Sequence, residues 1–181
     1  MSEQADSSVS DDSVADNPAT DDSVIDEFLS EKPEPEKPPS AKDLRLGAMN
    51  ILARREHSRK EVRDKLLKKL DPATELLDAV LDQLVADDLL SDQRFSEAFV
   101  RWRVGKGQGP VRIRMELRER GVDGDAVLRE CDVDWFALVV EVAHKRFGTS
   151  PATDPKQRAK RMRFLQYRGF NGEQIRAALN D

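Results

Sequence analysis

The sequence predicts an all-α protein: an elongated array of three tandem three-helix modules, preceded by a disordered acidic tail. Three observations predict it. From Ser40 onward apolar residues recur at helical spacing, and no stretch alternates apolar and polar residues for long enough to suggest a strand. Leu117, Arg120, Gly121, Val122 and Val127 recur at the same spacing as Leu165, Arg168, Gly169, Phe170 and Ile175, and as Leu66, Lys69, Leu70, Asp71 and Leu76. A helical unit that repeats at that interval buries its apolar face against its neighbours. Finally, charge divides the chain: of a net −5, residues 1–40 carry −10 (two Lys, twelve Asp or Glu), which leaves +5 on residues 41–181.

The organisation follows: tail 1–40, first module 41–90, second module 91–132, third module 133–181. The tail contains "DDSVADNPATDDSVIDEFLSEKPEPEKPPS", whose low hydrophobicity and like charge cannot offset the entropy of ordering. Within it, Val24 to Leu29 ("VIDEFL") is the one acidic-apolar segment with the makings of a partner-binding or fold-back element.

Punctuation locates the helices. Ser40 caps a helix expected to reach Glu56; Ser58 with Glu61 makes a capping box for a second ending near Lys69; Asp71-Pro72 starts a third through Leu76, Leu77, Val80, Leu81 and Leu84. Ser91 or Asp92 opens the next, through Phe95, Phe99 and Trp102, and Gly105 and Gly107 end it. Pro110 then opens a helix closed at Gly121. Asp123 opens a short helix through Val127 and Leu128. Asp134 caps "WFALVVEVAHKRF", closed by Gly148; Asp154-Pro155 opens a helix that stops at Gly169; Asn171 and Gln174 cap the last.

Ile113 and Leu117 share a face with Pro110 and belong to the core. Trp102, Phe164 and Tyr167 are expected there too, since aromatics at helical spacing usually pack; the alternative is stacking on bases. His144 is expected to be half-buried packing.

The charges carry the functional question. Glu116 lies four residues from both Arg112 and Arg120, so those pairs read as surface chemistry. Arg114 and Arg118 have no acidic residue three or four positions away, and like charges at that spacing cost an isolated helix a few tenths of a kcal/mol, roughly. From Pro155 to Gly172 stand Lys156, Arg158, Lys160, Arg161, Arg163 and Arg168 without an Asp or Glu. In the first module, by contrast, Glu61 and Asp64 are interspersed among the basic residues, as on a solvated face. Unpaired charge of one sign on the second and third modules points to phosphate or an acidic protein surface.

Other classes find no support. His57, His144 and Cys131 have no metal-ligand spacing, "GKGQGP" lacks the strand and Lys-Ser/Thr of a phosphate loop, and no set of residues converges as a catalytic site. No cofactor or metal is expected. A single cysteine, with no membrane-spanning run and no signal peptide, leads to the expectation of a cytoplasmic protein that does not enter membranes.

The runs "AMNILARREHSRKEVRDKLLKK", "VLDQLVADDLLSDQRFSEAFVRWRVGKGQGPVRIRMELRERGV" and "KRMRFLQYRGF" resemble the bacterial RecX family, regulators of the RecA recombinase. The resemblance covers Leu44 to Asp181 and is most specific around Asp92, Arg94, Phe95, Arg101, Arg103, Gly109, Pro110, Ile113, Leu117 and Gly121; the tail lies outside it, and Leu70 stands where members have a glycine turn. It implies tandem three-helix units that dock in the groove of the RecA-DNA filament, block its extension and depress ATP hydrolysis and strand exchange. The expected partners are therefore a RecA filament and, weakly, single- or double-stranded DNA, met by a monomer. The expected contacts are Arg114, Arg118, Arg158, Lys160, Arg161 and Arg163, then Arg101 and Arg103. The alternative is a basic helical module that binds DNA directly.

Overall fold

The computed structural model describes residues 38–152 and 154–180. The expectations for the tail and for Val24 to Leu29 lie outside the described residues. Among those residues there are nine helices and no strands: α1 (Ala41–Leu52), α2 (Arg59–Leu70), α3 (Thr74–Ala86), α4 (Asp92–Gly105), α5 (Pro110–Glu119), α6 (Gly124–Glu130), α7 (Trp135–Phe147), α8 (Pro155–Arg168) and α9 (Gly172–Asn180).

Apolar side chains gather into three clusters, one for each set of three helices. Leu44, Ala48, Val62, Leu66, Leu77 and Leu81 centre the first; Phe95, Phe99, Val100, Ile113 and Leu117 form the second; Val139, Ala143, Leu165, Phe170 and Ile175 form the third. Leu66, Leu117 and Leu165, the leucines aligned by the repeat, are all fully buried. Truncating any of them to alanine should cost about 2–5 kcal/mol.

The caps follow local sequence closely. Ser58 and Ser91 each accept a bond from the backbone N–H three residues on, and Asp123, Asp134 and Asp154 cap α6, α7 and α8. Asn171 and Gln174 exchange side-chain-to-backbone bonds of 2.9 Å at the start of α9. Gly121 and Gly169 take positive φ, 78° and 90°, at the turns of the second and third modules. In the first module the left-handed residue is Asp71 (φ 44°), one position later than the repeat places it. Leu70 bears a Cβ that disfavours this conformation, whereas an aspartate tolerates it better.

Three local expectations are corrected. Helix α1 ends at Leu52 rather than Glu56, because the next residues are held elsewhere: Arg55 pairs with Glu61, and Glu56 reaches Arg94 on α4 at 3.2 Å. The return arm of the Ser58–Glu61 capping box is not formed, since the Glu61 carboxylate pairs with Arg55 and Arg120 instead. Helix α3 begins at Thr74, two residues after the buried Pro72.

The modules meet through backbone as well as side chains. Between the first and second, Ser58 Oγ donates to the Arg120 carbonyl at 2.7 Å, and the Arg59 amide donates to Asp92 Oδ1 at 2.7 Å. Between the second and third, the amides of Gly109 and Val111 at the start of α5 donate to the carbonyls of Arg168 and Gly169 at 2.8 and 3.0 Å. Orphan donors of one helix thereby satisfy orphan acceptors of another. A Cβ at Gly109 would meet the Gly169 backbone, and one at Gly169 would lie 2.7 Å from the Arg112 nitrogen, so only glycine allows this approach. Trp135, the first residue of α7, packs on the second cluster and so also joins the second and third modules.

Candidate functional site

In the second module the structure removes most of the uncompensated charge. Arg114 Nε lies 2.8 Å from Asp125 Oδ1, and Arg118 pairs with the other oxygen of the same carboxylate. These two arginines are therefore not without acidic partners. The pairing exists because α6 lies very close to α5: a Cβ at Gly124 would sit 2.8 Å from the Arg114 carbonyl oxygen, so Gly124 admits the approach that brings Asp125 between them.

Glu116 is a second hub. It pairs with Arg112 one turn away at 3.0 Å and with Arg103 on α4, while Arg120 uses its guanidinium on Glu61 and on the Glu116 backbone carbonyl. The expected Glu116–Arg120 carboxylate pair is not formed. Arg103 also covers Trp102, its guanidinium carbon 4.2 Å from the ring centroid. Burial pushes its pKa down against the opposing pull of Glu116, whereas the Glu116 carboxylate raises that of Arg112. With the side chains of Arg103 and Glu116 only 17% and 14% exposed, this ion pair is internal structure rather than surface chemistry. Arg101, two residues before Arg103 on α4, is exposed and forms no ion pair among the described residues.

The third module is arranged differently. Arg161 turns back, donating to the Ser150 carbonyl at 2.8 Å and lying over Phe147. Arg168 donates to the Lys106 carbonyl at 2.8 Å across the joint between modules. Arg158 is exposed. Lys160 and Arg163 are exposed and form no ion pair among the described residues; the one bond of the Arg163 side chain is a long contact, 3.4 Å, to its own helix at Ala159. Leu165 points α8 inward, so positions 156, 160, 163 and 167, spaced by four, three and four, share the outward face. The result is a stripe of Lys156, Lys160, Arg163 and Tyr167.

Tyr167 is 74% exposed, which corrects its assignment to the core; Trp102, at 52%, is corrected likewise, and only Phe164 packs into the third cluster. Both exposed rings lie beside guanidinium groups, Arg112 near Tyr167 at 5.4 Å and Arg103 over Trp102, which offsets part of the lost burial. His144 is exposed rather than half-buried, because Val139 and Ala143 turn the opposite face of α7 to the core. His57 is the buried histidine: its Nδ1 faces the Arg55 carbonyl at 2.9 Å, its Nε2 faces Lys65 Nζ at 2.7 Å, and burial lowers its pKa.

At its Tyr167 end the stripe runs onto an apolar shelf. Val111 and Met115 of α5 are exposed beside Tyr167 and line a recess of about 430 Å³ whose edge includes Arg112, Glu116 and Glu119. Sequence reasoning missed Lys156, Arg112 and Met115 as members of this surface. The spacing of 156, 160 and 163 was available, but the juxtaposition of α5 with the end of α8 was not.

Fold and surface together define a helical-repeat protein with a basic, aromatic-tipped stripe on the outer face of its third repeat. The first, second and third three-helix domains of RecX match residues 47–84, 91–127 and 132–179. The chain is 45% identical over 143 residues to the regulatory protein RecX of Halorhodospira halophila, covering 77% of this chain and 88% of that one. It is 46% identical over 135 residues to that of Pseudomonas entomophila, covering 73% and 86%. The crystal structure of RecX from Lactobacillus salivarius superposes with a TM-score of 0.65 at 24% identity, over 77% of this chain and 94% of that one, a likeness of fold. The chain belongs to the RecX family of regulatory proteins. No helix among the described residues is long and apolar enough to cross a membrane.

Proposed function

We propose that this protein is a negative regulator of the RecA recombinase, docking in the groove of the RecA-DNA filament and thereby limiting filament extension, ATP hydrolysis and strand exchange. Family membership supports a regulatory role. The observation that carries the rest is the outward stripe of Lys156, Lys160, Arg163 and Tyr167, whose cations form no ion pair among the described residues. Lys160 and Arg163 are the primary contacts, joined by Lys156 and Tyr167. Arg114 and Arg118 contribute less because Asp125 already neutralises part of their charge. Arg103 is a structural residue.

The exposed Val111 and Met115 beside Tyr167 favour a protein groove over bare nucleic acid, since a phosphate backbone has little use for an apolar shelf. The exposed ring of Tyr167 favours the second reading, direct binding of single-stranded DNA by stacking. One titration separates them: single-strand-dependent ATP hydrolysis by RecA, with the DNA saturated by RecA. Filament docking gives inhibition complete well below the RecA concentration, and the triple variant Lys156→Glu/Lys160→Glu/Arg163→Glu needs about tenfold more protein or worse. Direct DNA binding gives inhibition that disappears when more DNA is added, with a log-log salt slope that falls by about 2–3 in the triple variant. Undiminished inhibition by the triple variant would exclude the stripe from either role.

A further inference from the structure

The face built by α4 and α6 has the opposite character to the stripe. Between these helices and the segment leading to α7 lies an open groove of about 840 Å³. Val100 and Val104, one turn apart on α4, form one apolar wall, and Val127 of α6 with Cys131, the residue that follows this helix, forms the other. Its rim carries Asp92, Glu97, Asp123, Glu130 and Asp132 against one cation, Arg101.

None of these five carboxylates forms an ion pair among the described residues, although on the other side of the same module Glu116 and Asp125 each hold two arginines. Asp92 and Asp123 accept bonds from backbone amides, and Glu97 accepts one from Gln93. Glu130 and Asp132, exposed at the mouth beside Cys131, have no such partner among the described residues. In a module rich in arginine, carboxylates left unpaired around an apolar trough give a surface complementary to a partner that is apolar on one face and basic on its flanks.

We propose that this groove docks a basic amphipathic helical segment of a partner protein. The segment's apolar side chains, at i, i+3 or i+4 and i+7, enter between the two valine-bearing walls, and its Lys or Arg flanks meet Glu97, Glu130 and Asp132. Nucleic acid is the wrong partner for this face, because its phosphates would meet the acidic rim. The chain thus presents surfaces of opposite polarity: a basic stripe on α8 and an acidic-rimmed apolar groove between α4 and α6.

The test uses the full chain without DNA or RecA, so its outcome is independent of the proposed function. The probes are two synthetic peptides of about 14 residues, four helical turns, with the same leucine pattern and either Lys or Glu on the polar face. Cys131 is the only cysteine in the sequence and reports occupancy of the groove through its rate of alkylation by iodoacetamide. Saturating Leu/Lys peptide should slow alkylation by about tenfold or more, the Leu/Glu peptide should not, and Glu130→Lys/Asp132→Lys should reverse the preference. Both substitutions lie on exposed residues, so circular dichroism should be unchanged. Equal protection by both peptides, protection by neither, or protection by the Leu/Lys peptide that survives the charge reversal would overturn the proposal. So would protection that rises with protein concentration in the absence of peptide, which would assign the groove to a second copy of the chain.

Discussion

The second and third modules share a repeat, aligned leucines and glycine turns, and both are rich in arginine, yet they use that arginine in different ways. In the second, Asp125 and Glu116 each hold two guanidinium groups, and Arg103 lies mostly buried against Trp102. In the third, α8 has no acidic residue at all, so Lys156, Lys160 and Arg163 stay in solvent without an ion pair among the described residues. The difference shows that the density of positive charge in a sequence does not by itself locate a binding surface. What counts is the charge left after the fold has matched its own acids to its own bases.

The largest effect that would sharpen this comparison is at Glu116. Glu116→Gln leaves the guanidinium of Arg103 largely buried without a carboxylate and should lower unfolding free energy by about 2–4 kcal/mol, read from urea denaturation. A loss no greater than that of an exposed pair would place Arg103 with the surface arginines and weaken the contrast. Next comes Asp125→Ala. Both of its pairs are substantially exposed, so stability should fall by about 1 kcal/mol or less. The same substitution frees Arg114 and Arg118, so affinity for an anionic partner that touches the second module should rise; affinity that stays constant would confine recognition to the third.

The smallest effect is on the stability of the third module. Lys160→Glu places a carboxylate four residues after Lys156 and three before Arg163, and should raise stability by about 0.3 kcal/mol through helical pairing. A variant that folds slightly better while losing inhibition would break the link between charge and stability that holds in the second module. A clear loss of stability would instead make Lys160 part of the fold.

Much of the architecture was legible beforehand. The caps at Ser58, Ser91, Asp123, Asp134 and Asp154, the glycines at 121 and 169, and the buried leucines at 66, 117 and 165 were all readable, because each depends on residues within about a turn of itself. The site was legible in part. Lys160 and Arg163 are where their unbroken basic run places them, whereas Arg114 and Arg118 look uncompensated only when partners are sought within four residues. Asp125 stands eleven and seven positions away, across the turn at Gly121, and Arg103 reaches Glu116 across thirteen.

By itself, then, the sequence determined the helices, their grouping into three repeats and the excess of cations on α8, since periodicity, capping and net charge are properties of neighbouring residues. Only the tertiary structure decided which cations lack an ion pair among the described residues, that Tyr167 and Met115 line one recess, and that five carboxylates without an ion pair among those residues surround an apolar groove. The physical reason is that ion pairing and desolvation depend on distances in space. Those distances were set here by helix approaches that glycines at 109, 124 and 169 permit.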